Sequence, residues 1–336
     1  MDNMNSNIKI NITKAPGLVE TGLLFSVVAF LLITLGSYVQ KKNFNTGILI
    51  TEFIIILAPS LLLLILRKYN LKQVLRLNRV SFLNLFIIFS MIAFSMWIVA
   101  IINLVNLWII KSIFGKVIVA ALPISETPLI VNILLIGGSA GICEEVMFRG
   151  VIQRSFEKFG VLFSITITAF LFGLFHMDFQ KLVGTFLLGM LIGFIVYRTD
   201  SLFAGMFAHF TNNTLAVLIS YISGKISPSG MSAMQSGENY LNDYFTMLDN
   251  LSSFQKLAVI GVWTAGAVFC AAALAGLIWA FVRNTSKTEK HVLHSDNKLI
   301  PGILAYIPGL LVITATYILI GFTLKGVPLD LLLFAL

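Results

Sequence analysis

Nine stretches of the chain approach the roughly 20 consecutive apolar residues that a helix needs to cross a bilayer. They are Gly17–Val39, Gly47–Leu66, Ser81–Leu107, Leu129–Gln153, Phe159–Met177, Phe179–Tyr197, Ser201–Ile222, Leu257–Val282 and Pro301–Phe322. In hydrocarbon a backbone must satisfy its own hydrogen bonds, and runs of this length do so as helices. The predicted fold is therefore all-α: a polytopic membrane helix bundle with eight to nine spans. With 58% hydrophobic and 11% charged residues and a mean hydropathy of +0.94, a soluble globular domain is excluded.

The net charge of +8 does not indicate a nucleic-acid partner, because the basic residues gather in short loops beside apolar runs, where they orient helices. With a cytoplasmic N-terminus, fifteen Lys and Arg fall on the predicted inner side and eight outside. This orientation leaves the C-terminus external and makes the chain a multi-pass protein of the cell membrane. Met1–Pro16 is polar and the first apolar run is long enough to span, so it is read as retained. Two cysteines, Cys143 and Cys270, are too few for a disulfide framework or a thiolate cluster.

Three parts follow: a transmembrane scaffold at 1–128, a polar-studded core at 129–222, and an external loop with two trailing helices at 223–336. Within the first, Ile110–Pro128 is expected to lie along the interface or re-enter the membrane.

Function is expected in the core, in helices four to seven. Glu144, Glu145 and Arg149 sit in an otherwise apolar run, and each such charge costs about 2.5–3.5 kcal/mol near the bilayer centre unless it is compensated. Residues four apart share a helix face, so Glu145 and Arg149 form a natural ion pair, whereas Glu144 points elsewhere. A carboxylate without a local partner is free to take a proton from water, as a general base does. His176 and His209 also fall in apolar helices, and Asn213 shares a face with His209. That last pair suits either an oxyanion or a metal. Glu52 is read as pairing within the bundle or lining the cavity, Asn103, Asn106 and Asn132 as interhelical hydrogen-bonding groups, and Gly184, Gly189 and Gly193 as close-packing faces. Phe148 and Phe172 are candidates for lining a substrate groove.

The order Glu144-Glu145-Val-Met-Phe-Arg149, Phe172-Gly-Leu-Phe-His176, His209-Phe-Thr-Asn-Asn213 resembles the pattern of the CAAX prenyl protease type II and bacteriocin-processing family, also called CPBP or Abi. The resemblance covers roughly Leu129 to Ile222. It implies an intramembrane endopeptidase, with Glu144 and His176 activating a water, His209 and Asn213 stabilising the oxyanion, and Glu145 with Arg149 a structural or substrate-binding pair. The implied partners are a peptide or protein substrate in the membrane and the lipid bilayer itself.

No cofactor is expected; the alternative is zinc held by His176, His209 and Glu144, an adequate ligand set that lacks the His-Glu-x-x-His signature. Two other functions remain open. One is a noncatalytic bacteriocin-immunity or regulatory protein of the same fold, for which the intact residue set gives no reason. The other is a transporter using Glu and His as a proton relay, which the absence of an inverted repeat opposes. Richness in Ile, Asn and Lys points to a bacterial chain, so a secreted peptide, leader or pheromone precursor is a better expectation than a prenylated CAAX protein. One conflict stands: counted from the helix starts, His176 lies about 25 Å deep and His209 about 13 Å. A broken fourth helix at Gly137–Gly141, a tilted fifth helix or a re-entrant entry would level them.

Overall fold

The computed structural model describes residues 12–117, 127–226, 240–285, 292–294 and 298–327. Eight of its helices are long and apolar enough to cross a membrane: α1 (Leu18–Lys42), α2 (Phe44–Leu66), α3 (Phe82–Phe114), α4 (Leu129–Phe159), α6 (Phe179–Thr199), α7 (Leu202–Ile226), α9 (Ser253–Asn284) and α10 (Leu299–Leu324). Between them lie α5 (Val161–Phe175) and the short α8 (Tyr240–Asp249). A parallel pair of three-residue strands, β1 (Ile12–Lys14) and β2 (Val292–His294), joins segments near the two chain ends.

Local sequence explains the boundaries. The Asn43 side chain accepts the Thr46 amide at the start of α2, Ser81 caps α3 through the Asn84 amide, and Asp178 caps α6 through the Gln180 amide. Gly115, in the left-handed region with φ of 86°, ends α3. The helix therefore runs well beyond Leu107, and residues 118–126 of the expected interfacial segment lie outside those described.

The fifth span departs from expectation. Apolar sequence continues from Phe159 to Met177, but Gly160 at φ of 109° delays the helix start, and the chain reverses at His176–Asp178, with Met177 at φ of 49°. Fifteen residues remain, about 22 Å at 1.5 Å per residue, short of a hydrocarbon core of about 30 Å. α5 is thus too short to cross such a core upright. α4, by contrast, is not broken at its glycines.

Among the described residues two large apolar clusters make the core, with a third, smaller one at Leu107, Val117 and Phe245. Of the large pair, one gathers buried residues of α1, α2, α4, α5 and α10, and the other those of α3, α6, α7 and α9. α1 and α10 interlock through small residues and polar contacts. Ser26 Oγ donates to the Ala305 carbonyl at 2.7 Å, and Tyr306 donates to Thr21 Oγ1, which donates to Ser155 of α4. A Cβ added at Gly302 would lie 2.4 Å from Leu18 Cβ. Gly302→Leu is therefore expected to wedge the two apart at a cost of about 1–3 kcal/mol. A thermal melt in lipid nanodiscs checks this, and an unchanged melting temperature would contradict the clasp.

At the same, C-terminal end of α4, Arg76 pairs with Glu157 and with Asp200, and Arg154 pairs with Glu157 and donates to the Val74 and Gln73 carbonyls. This network ties the α2–α3 connection to α4 and to the α6–α7 turn. Arg76, Arg149 and Arg154 are thus buried in specific contacts rather than free in loops.

Candidate active site

Small residues bring the acidic helix against α7. A Cβ on Gly141 would stand 3.2 Å from the Phe210 amide nitrogen and 3.3 Å from the Met206 carbonyl, and one on Gly137 would stand 3.0 Å from Thr214 Oγ1. On either side of Ala140–Glu145, α4 widens into π-helical turns, at Ile133–Ser139 and Val146–Ile152. Such turns cost backbone hydrogen-bond regularity and are frequent at functional sites. They set the two adjacent glutamates on a regular segment between two widened ones.

Glu145 and Arg149 are both 0% exposed and pair at 2.7 Å. Each charge is compensated further. Glu145 Oε1 also meets His209 Nδ1 at 2.9 Å. The Arg149 guanidinium donates to the Gly189 carbonyl of α6 and lies 4.5 Å from the centre of the Phe172 ring on α5, a contact worth up to about 2 kcal/mol when desolvated. Four helices, α4 to α7, therefore converge on one buried ion pair.

Glu144 is placed differently. Its side chain keeps 14% exposure, its Oε2 has no hydrogen-bond partner, and that oxygen lies 3.9 Å from His209 Nε2. His209 thus stands between the two glutamates, held by Glu145 through one ring nitrogen and presenting the other towards Glu144. One turn along α7, Asn213 donates to the Ile136 carbonyl on α4 at 3.0 Å and accepts from Asn212. His176, at the end of α5, has Nδ1 2.9 Å from the Phe172 carbonyl oxygen. The Phe172 ring packs edge-on against both histidines, with centroids 4.9 Å from His176 and 5.8 Å from His209. Among the described residues no hydrogen bond or ion pair joins His176 to Glu144. Because one ring touches both, the two histidines lie close together despite the different depths counted from their helix starts.

Residues 126–215, which hold all of these groups, match the family model of the type II CAAX prenyl endopeptidases, described as Rce1-like. This segment is similar to that family. A Bacillus subtilis (strain 168) protein named "Putative membrane peptidase YdiL" is 31% identical over 97 residues, 29% of this chain. The match spans 39% of that relative's length. No solved structure matches the chain.

The zinc alternative is tested by the donor arrangement. Among the described residues no group of three or more His, Cys, Asp and Glu side chains stands together as a metal site. His176, His209 and Glu144 are not gathered into one, and His209 Nδ1 is engaged by Glu145. The set does not fit a zinc ion in this arrangement, and no step below passes through one.

Two contributors were not legible as part of the site. The Gly189 carbonyl, an acceptor for Arg149, carries no sequence signal beyond its glycine. Glu52 on α2, expected from the sequence to pair within the bundle or line the cavity, is buried at 7% exposure and faces the Cys143–Glu144 segment of α4. Its signal was present as an ionisable residue in an apolar run, but nothing local indicated which helix it meets.

Proposed function

We propose that the protein is an intramembrane endopeptidase that hydrolyses a peptide bond of a membrane-associated or secreted peptide or protein, using a water activated by Glu144. The observation that carries this reading is the division of labour between neighbouring carboxylates. Both leave Oε2 without a hydrogen-bond partner, but Glu145 is fully buried and held through Oε1 by Arg149 and His209, whereas Glu144 keeps 14% exposure and has its free oxygen beside His209 Nε2. A buried oxygen without a partner calls for one, and in a hydrolase that partner is the attacking water.

In the proposed reaction Glu144 takes a proton from water as the water oxygen bonds to the scissile carbonyl carbon. Negative charge moves to the carbonyl oxygen. His209, through a protonated Nε2, and Asn213, through the amide N–H not used on Ile136, donate to that oxyanion. His176 orients the water through Nε2, since Nδ1 lies on the Phe172 carbonyl. The carbon–nitrogen bond then breaks, the departing amine nitrogen is protonated, and a carboxylic acid is left. Glu145 and Arg149 hold His209 and need not touch substrate. This scheme requires no metal. The N-terminus is assigned to the cytoplasm and the C-terminus to the outside.

Preorganised donors to a developing oxyanion are worth a great deal in a site shielded from water. Asn213→Ala is expected to lower turnover by about 100- to 1,000-fold with little change in substrate binding. Steady-state kinetics on a cleaved peptide check this, and a loss confined to KM would assign Asn213 to substrate binding. The reading as a whole is tested by mass-spectrometric comparison of membrane and secreted peptides from cells carrying the wild type or Glu144→Ala at matched levels. A peptide lost in the variant, with its precursor accumulating, is the expected result. Coincident profiles, with a phenotype that still requires the protein, would favour the noncatalytic binding function.

A further inference from the structure

Glu52 has no role in the reaction just described, and its surroundings are unusual for a structural carboxyl. It lies in a widened π-helical stretch of α2, Ile50–Leu57, that packs against the Ala140–Glu145 segment of α4. It is 7% exposed, and its Oε2 has no hydrogen-bond partner. Glu144 and the Cys143 thiol, both on α4, are within its electrostatic reach, and among the described residues no cationic side chain compensates it. Glu144 differs in having His209 alongside.

Two carboxyl groups sharing a water-poor compartment do not both ionise, and the proton stays on the one whose surroundings oppose charge more strongly. When environments separate two titratable groups in this way, the ionised one is suited to act as base and the neutral one as acid. We propose that Glu52 is the proton donor of a carboxyl pair in which Glu144 is the acceptor. The catalytic part of this assignment rests on the peptidase reading above.

The proton balance is complete. Glu144 takes one proton from water as the carbon–oxygen bond forms. Glu52 gives its proton to the amide nitrogen as the carbon–nitrogen bond breaks. Transfer of the proton from Glu144 to Glu52 then restores the starting pair.

The test begins without substrate. Infrared difference spectroscopy of the full chain in lipid nanodiscs at neutral pH, with glutamate carboxyls isotopically labelled, reads the stretching band of a protonated, buried carboxyl. The expected result is a band in the wild type that persists in Glu144→Gln and disappears in Glu52→Gln. Absence of the band from the wild type, or its survival in Glu52→Gln, would overturn the assignment. If Glu52→Gln does not fold, Glu52→Asp decides: a band displaced in frequency supports Glu52 as its source, and an undisplaced band overturns it.

On a cleaved peptide, Glu52→Gln is expected to slow turnover by about 100- to 10,000-fold and to abolish the alkaline limb of the pH profile, with Glu52→Asp partly restoring both. Turnover at the wild-type rate, or a slowed reaction with the limb intact, would reduce Glu52 to a structural group. Should Glu144→Ala leave the peptide profile unchanged, the peptidase reading falls, and the infrared result still decides where the proton resides.

Discussion

Arg149→Met is expected to destabilise the protein by about 3–5 kcal/mol, because it strands the buried Glu145 carboxylate after removing its strongest partner. The two side chains pair at 2.7 Å with no exposure on either. The guanidinium also holds the Gly189 carbonyl and lies over Phe172, so its loss loosens α4 from α5 and α6 together. The double variant Glu145→Gln/Arg149→Met removes the stranded charge as well and is expected to recover part of the loss. Chemical or thermal unfolding in nanodiscs measures both. If the double variant is no more stable than Arg149→Met, the stranded charge is not the source of the cost.

Glu144→Gln is expected to do the reverse: to leave stability nearly unchanged and remove the chemistry. The substitution keeps the shape of the side chain and breaks no ion pair within hydrogen-bonding distance, since His209 Nε2 stands 3.9 Å away. A positioned general base contributes about 100- to 10,000-fold, and turnover is expected to fall by an amount in that range. Glu145→Gln, one residue along, is expected to lower both stability and turnover, because it weakens the contacts that hold Arg149 and His209. The contrast between these neighbouring substitutions, read from melting temperature and product formation in parallel, separates base from scaffold. A Glu144→Gln protein that melts early while retaining its turnover per folded molecule would exchange the two roles.

These contrasts also indicate which parts of the molecule were legible in the sequence. Helical spans could be read because hydrocarbon imposes one length and one backbone solution. The Glu145–Arg149 pair was legible because i, i+4 geometry is local. The contact between His209 and Glu145 was not, since it crosses 64 positions and depends on how closely α4 and α7 approach. Gly137 and Gly141 marked a special stretch, but a kink and a close contact give the same composition, and only packing against Phe210 and Thr214 distinguishes them. The short α5 was hidden for a similar reason. Apolar sequence runs straight through its ends, and the reversal depends on backbone conformations at Gly160 and Met177 that hydropathy does not record. Glu52 shows the limit most clearly: its chemistry was visible in α2, and its partner lay in another helix.

The most direct measurement follows single-turnover cleavage of an identified peptide in oxygen-18 water by purified wild-type protein and folded Glu144→Gln. The account predicts one solvent oxygen in the new C-terminal carboxyl of the wild-type product and almost no product from the variant. Labelled product formed by folded Glu144→Gln at the wild-type rate would contradict the assignment of Glu144 as the residue that activates water.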